Sequence, residues 1–131
     1  MRVLDARVAR RRAIFARYRD ALAPLGIGFM PEAPGALHTR WLTTALLPDG
    51  AARERVRTAL LSQGIESRPL WKPMHLQPVY RGAPYRGVGV DEGLFARGLC
   101  LPSGSDMTAA EQEEVIGRVG DALEGRGIRA A

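Results

Sequence analysis

The chain is short of the residues that most often announce a chemistry. Among its 131 residues there is one cysteine, Cys100, one lysine, Lys72, and two histidines, His38 and His75. A lone cysteine closes no internal disulfide, so a reducing, cytoplasmic location is the expectation. One cysteine and two histidines without ligand spacing leave no basis for a structural zinc site. No apolar run approaches the roughly 18 residues that a bilayer-spanning helix requires, so no membrane partner is expected. The N-terminal stretch lacks the apolar core of a secretory signal. It is Arg-rich in the manner of a transit peptide, but Asp5, Asp20 and an unbroken helical pattern favour an integral helix.

What the chain has in quantity is arginine. Of 19 basic residues all but Lys72 are Arg, set against 14 acidic ones for a net charge of +5. The excess lies almost wholly in the first 20 residues, and the remainder is balanced. With 46% hydrophobic and 25% charged residues, the composition is that of a globular protein, of a length suited to a single small domain over residues 1–131. Arg7, Arg10, Arg11, Arg12, Arg17 and Arg19 could neutralise phosphates, as in a free-standing basic nucleic-acid-binding module. No lysine and no nucleic-acid motif accompany them, so a solvated helix face is the preferred reading and nucleic acid is not an expected partner.

Residues 4 to 23 place Leu4, Val8, Ile14, Phe15, Tyr18 and Leu22 along one apolar stripe, which predicts a long amphipathic helix ended by Pro24 and Gly26. Extended segments are expected near residues 26–31 and, rich in Thr and Trp, over residues 37–47. Pro48, Asp49 and Gly50 form a turn, with Asp49 positioned to cap a helix over residues 51–63 whose Val56 and Leu60 point inward. Gly64 stops that helix, and residues 65–68 read as a short strand. A short helix over residues 91–97 and a buried strand over residues 99–102 follow. Thr108 and Glu111 make a capping box for a last helix with Val115, Ile116, Val119 and Leu123 on its inner face, finished by Gly125 and Gly127. The order predicts an α/β (α+β) fold, a small mixed or antiparallel sheet with helices packed on one face.

Between these elements, residues 69 to 89 hold four prolines and three glycines, together with Trp71, His75, Tyr80 and Tyr85. An irregular stretch of that length is uncommon in a compact domain and usually functional. Arg68, Trp71, Lys72, Met74, His75 and Gln77 gather a guanidinium, an indole, an ammonium, an imidazole and an amide on a proline-stiffened backbone, able to meet anions or sugar hydroxyls. The alternative is that Trp71 and Met74 fill the core while Lys72 and His75 are merely exposed. Gly87, Gly89 and Gly93 match neither the dinucleotide nor the Walker spacing, and Ser103 and Ser105 do not form a nucleophile elbow.

The run Arg68-Pro69-Leu70-Trp71-Lys72-Pro73-Met74-His75-Leu76-Gln77-Pro78 resembles the active-site loop in the small domain of the DegT–DnrJ–StrS nucleotide-sugar aminotransferases, especially the bacillosamine or pilin-glycosylation branch acting on 4-keto-6-deoxy UDP sugars. Leu4 to Arg12 resembles the long helix leaving that family's large domain. Gly64 to Pro69 resembles the strand feeding the loop, and Gly98 to Ser105 with Met107, Thr108 and Glu111 the stretch opening the last helix. The resemblance implies the C-terminal small domain of a fold-type-I enzyme that moves an amino group from glutamate to a 4-keto nucleotide sugar. Pyridoxal 5′-phosphate and the lysine that holds it as a Schiff base belong to the large domain of such enzymes. Lys72 does not match that lysine's motif, so the chain is expected to be a fragment, without catalytic or cofactor-binding residues of its own and inactive alone. Its implied partners are a large domain, a homodimer mate and the nucleotide sugar. His75 is implied as a polar substrate contact, Arg68 and Lys72 as contacts to diphosphate or carboxylate, Trp71 and Met74 as pocket walls, and Gln77 as a partner for a sugar hydroxyl. A non-catalytic dimerising remnant is the other alternative.

Overall fold

A computed structural model describes residues 3–125. The N-terminal helix α1 spans Leu4–Leu22 and buries Ile14, Phe15, Tyr18 and Leu22, spaced to lie on one face. Leu4 is exposed and Val8 only half-buried, so the first half of the expected stripe stays outside the core. Pro24 converts the end of the helix into a 3-10 turn, Ala23–Leu25, and Gly26 takes the left-handed conformation that releases the chain. Strand β1, Gly28–Phe29, and strand β2, Thr43–Leu46, follow.

The expected strand over residues 37–47 is thus reduced to its second half. Arg40 adopts a φ of +52°, which no strand accommodates, and its buried guanidinium donates to the Met30 carbonyl while lying 3.7 Å from the Phe15 ring centroid. That single residue turns residues 30–42 into an irregular arm against α1.

Helix α2, Gly50–Leu61, starts where the Asp49 carboxylate accepts from the Ala52 amide at 2.7 Å, and its buried side chains are Ala52, Val56 and Leu60. Strand β3 is Arg68–Pro69, later and shorter than expected. Helix α3, Val90–Arg97, runs directly into strand β4, Gly98–Leu101, and helix α4, Ala109–Leu123, opens on the Thr108–Glu111 capping box. On α4, Ile116 and Leu123 are only partly buried beside the buried Val115 and Val119. Gly127 lies outside the described residues.

The four strands order as β1-β2-β4-β3, and every pairing is antiparallel. Thr43 stands opposite Leu101 and Ala45 opposite Leu99, so these four share one face, and all are buried. That face joins Tyr18, Val56, Leu60, Val115 and Val119 in one cluster, so α1, α2 and α4 cover the same side of the sheet. The Tyr18 hydroxyl donates to the Pro102 carbonyl at 2.9 Å, and burial pushes its phenol well above the ordinary value. The Gln112 amide, also buried, donates to the Ile14 carbonyl at 2.7 Å and ties α4 to α1. On the opposite face, Thr44, Cys100 and Arg68 stand side by side. No helix among the described residues is long and apolar enough to cross a membrane.

Candidate functional site

Sequence features single out the segment between β3 and α3, and the structure explains how it is held. The Leu70 amide donates to the Gly98 carbonyl at 3.2 Å, continuing the β3–β4 pairing by one residue. The Leu70 side chain lies where a Cβ on Gly98 would stand, 2.2 Å from its Cδ1, so only glycine lets it settle against β4. Pro73 is buried while its neighbours point outward: Trp71 is 66% exposed and Met74 56%, and Lys72 is exposed too. These exposures overturn the alternative in which Trp71 and Met74 fill the core. Two 3-10 turns, Met74–Leu76 and Pro78–Tyr80, then carry the chain without a strand or α-helix.

His75 is not loose on this loop. Its Nε2 lies 2.8 Å from Oε1 of Glu92 and its Nδ1 3.6 Å from Oδ2 of Asp91, while the ring stacks on Tyr85 at 3.8 Å between centroids. The Tyr85 hydroxyl donates to Oδ1 of Asp91 at 2.7 Å, which lowers the Asp91 carboxyl and raises the Tyr85 phenol from their ordinary values. Only 16% of the His75 side chain is exposed. Gln77 turns back into the loop, its amide donating to the Lys72 carbonyl at 3.2 Å. The Arg68 guanidinium pairs with Glu66 at 2.7 Å in solvent. Lys72 forms no ion pair among the described residues.

Arg68 also lines a cleft of about 250 Å³ with Arg11, Trp41, Cys100 and Ser103, which none of residues 71–77 enters. The six sequence candidates therefore divide. Trp71, Lys72 and Met74 are presented, His75 and Gln77 brace the loop in this conformation, and Arg68 stands at a neighbouring cleft. Burial pushes the Cys100 thiol up against the opposing pull of Arg68, leaving it a poor nucleophile. Glu66, Tyr85, Asp91 and Glu92 carried no role in the sequence. Tyr85 stood out as a loop aromatic, but nothing local signals that it stacks on a residue ten positions earlier.

The arginines of α1 divide: Arg7, Arg10, Arg17 and Arg19 lie on an exposed face, as expected, while Arg11 and Arg12 are partly buried. Arg12 forms a bidentate pair with Glu32 at 2.8 and 3.0 Å and donates to the His38 carbonyl, and Glu32 also accepts from the His38 amide. Arg40, 5% exposed, approaches the same carboxylate at 3.5 Å. These contacts, the Arg12 hydrogen bond above all, hold Glu32 well below the usual carboxylate range, at about 2. Arg10 donates to the Met107 carbonyl, Arg11 to that of Trp41, and Arg17 pairs with Glu113. Four of the six cations that suggested phosphates, Arg10, Arg11, Arg12 and Arg17, tie α1 to other parts of the chain, whereas Arg19 pairs with the adjacent Asp20.

Among the described residues, Lys72 does not fit the lysine of a pyridoxal phosphate Schiff base. A Schiff-base lysine needs a pocket that lowers its ammonium pKa and donors that fix the phosphate, and Lys72 is an exposed side chain on an open loop.

Comparison with known proteins identifies the family. Residues 1–120 match the DegT/DnrJ/EryC1/StrS aminotransferase family, and the chain belongs to that family. It is 48% identical over 121 residues to the pyridoxal phosphate-dependent aminotransferase EpsN of Bacillus subtilis, covering 88% of this chain and 31% of the relative. It is 31% identical over 124 residues to the GDP-perosamine synthase of Caulobacter vibrioides, covering 92% and 33%. Among solved structures, the aminotransferase TlmJ from Streptoalloteichus hindustanus superposes with a TM-score of 0.84 at 25% identity over 96% of this chain and 34% of that one. DesV from S. venezuelae gives 0.82 at 30% identity, over 93% and 33%. The chain thus spans about a third of the length of the curated relatives it matches.

Proposed function

We propose that this chain is the small, substrate-loop domain of a pyridoxal phosphate-dependent aminotransferase that moves an amino group from glutamate to a 4-keto nucleotide sugar, and that it acts only with a large domain supplying the cofactor and its lysine. The observation that carries this reading is the loop itself: Trp71, Lys72 and Met74 stand exposed on a segment pinned at Leu70 and Pro73. An indole and a thioether offer a wall to a sugar or base, and an unpaired ammonium offers a counter-charge to diphosphate. Arg68, if its Glu66 partner yields, adds a second cation, while His75 and Gln77 would meet substrate through the edges their internal bonds leave open. The names of relatives support the sugar nucleotide: GDP-perosamine synthases are among them, and DesI, 28% identical with a TM-score of 0.75, was solved in the presence of its TDP-sugar product. The active site in this reading is assembled across a homodimer.

The test is reconstitution. The chain is combined with a separately expressed large domain, pyridoxal phosphate, glutamate and 4-keto nucleotide sugars, and the amino sugar is measured. Turnover that depends on adding this chain is expected. Its absence with every pairing, in a folded mixture, overturns the proposal.

A further inference from the structure

Residues 70–89 make no strand pairing beyond the Leu70 amide, yet they follow one defined path. The side-chain ties that span the segment converge on His75. It meets Glu92, 17 positions along the chain, at 2.8 Å, approaches Asp91 at 3.6 Å, and stacks on Tyr85, whose hydroxyl is bonded to Asp91 at 2.7 Å. Both carboxylates stand in the first turn of α3, whose last residue runs directly into β4 of the sheet. The anchor is therefore continuous with the sheet, whereas the tethered segment beyond Leu70 is not. Gly87 completes the arrangement: a Cβ there would fall 2.2 Å from the Tyr85 hydroxyl, so the phenol end of the ring occupies the space a side chain would take.

We infer that Asp91, Glu92 and Tyr85 are positioning residues that clasp His75 and thereby hold the exposed Trp71-Lys72-Pro73-Met74 run in a substrate-ready conformation. An imidazole held between two carboxylates and an aromatic face loses most of its rotational freedom, and the short 3-10 turn on which it sits loses that freedom with it. The three clasp residues need touch no substrate. They act through His75 on the residues that do, so the inference rests on the substrate-loop reading for its purpose and on this geometry for its existence.

Two readouts separate these. Arg68 and Lys72 each precede proline, so the trypsin-sensitive bonds of the loop are those after Arg81 and Arg86. Cleavage there reports opening of the clasp without any need for activity. In the full chain, Glu92→Gln, which keeps an acceptor and removes the charge, should accelerate cleavage at Arg81 and Arg86 by about tenfold, and Tyr85→Phe, which keeps the stack, by less. Gly87→Ala displaces the ring without touching a charged group and should match Glu92→Gln. Far-ultraviolet circular dichroism of each variant should remain that of the wild type. In the reconstituted enzyme Glu92→Gln should raise KM for the nucleotide sugar while sparing KM for glutamate. Unchanged cleavage in both Glu92→Gln and Gly87→Ala overturns the clasp, and faster cleavage with an unchanged sugar KM overturns its positioning role. A wild-type chain that reconstitutes no activity speaks against the proposed function alone, because the cleavage assay does not depend on it.

Discussion

The helix-covered side of the sheet and the loop at its edge are held by different physics. Under the helices, Ile14, Tyr18, Leu60, Leu99 and Val119 are almost wholly removed from water, and cohesion is distributed over many apolar contacts. In the loop, large apolar side chains stay in solvent and the path is set by a few discrete devices: prolines, a glycine that admits Leu70, and the grip on His75. A distributed core is sensitive to cavities, and its few polar pairs, Tyr18 with Pro102 and Gln112 with Ile14, supplement many apolar contacts. A loop built from a handful of contacts costs little stability to alter and loses its geometry at once. The arm of residues 30–42 stands between the two, since it packs on α1 through the buried Arg40 and the Arg12–Glu32 pair rather than through apolar area.

That contrast can be broken by substitution. The largest effect belongs to the core: Leu99→Ala, at the centre of the sheet, should cost about 2–5 kcal/mol in denaturant unfolding. A loss below about 1 kcal/mol would mean that the helices collapse onto the gap and that the core is less close-packed than described. The arm should respond to acid. Because Glu32 titrates lower in the folded chain than unfolded, its contribution is complete above the ordinary carboxylate value and fades as pH falls from there toward about 2. Glu32→Gln should therefore melt lower than the wild type at neutral pH and lose less on acidification. Parallel melting-temperature profiles for the two proteins would show that the pair does not couple the arm to the fold. The smallest effect belongs to the loop. Trp71→Ala should change stability by no more than about 0.5 kcal/mol, because the indole is exposed, while weakening use of the sugar nucleotide in the reconstituted enzyme. A large loss of stability would place Trp71 with the core and erase the distinction.

The helices were legible because their signals are local. Asp49 and Thr108 cap at the positions their types require, Gly26 and Gly64 take the left-handed turns that glycine permits, and apolar spacing marks the inner faces of α2 and α4. The antiparallel choice was not legible, since short strands separated by helices fit more than one order. The strand over residues 37–47 failed at Arg40, where a non-glycine residue holds a positive φ because tertiary contacts bury its guanidinium. The arginine-rich face of α1 is largely exposed, as its pattern implied, but the partners of Arg12, Arg10 and Arg17, namely Glu32, Met107 and Glu113, were not legible because they are distant in sequence. The loop was conspicuous by composition, and six residues from Arg68 to Gln77 stood out there as candidates, but their division into exposed and bracing side chains depends on Leu70, Pro73, Tyr85 and Glu92.

By itself, the sequence determined where helices begin and end, which residues are apolar enough to form the core, and that residues 70–89 hold no long helix or strand. Those properties follow from backbone conformational limits and from side-chain spacing within a turn or two. Only the tertiary structure decided which strand lies beside which, that Arg10, Arg11, Arg12 and Arg17 meet carboxylates and carbonyls of the same chain, and that His75 is gripped while Trp71 and Lys72 are exposed. Each of these depends on groups brought together from distant positions, where desolvation and opposite charge select partners that no local pattern encodes.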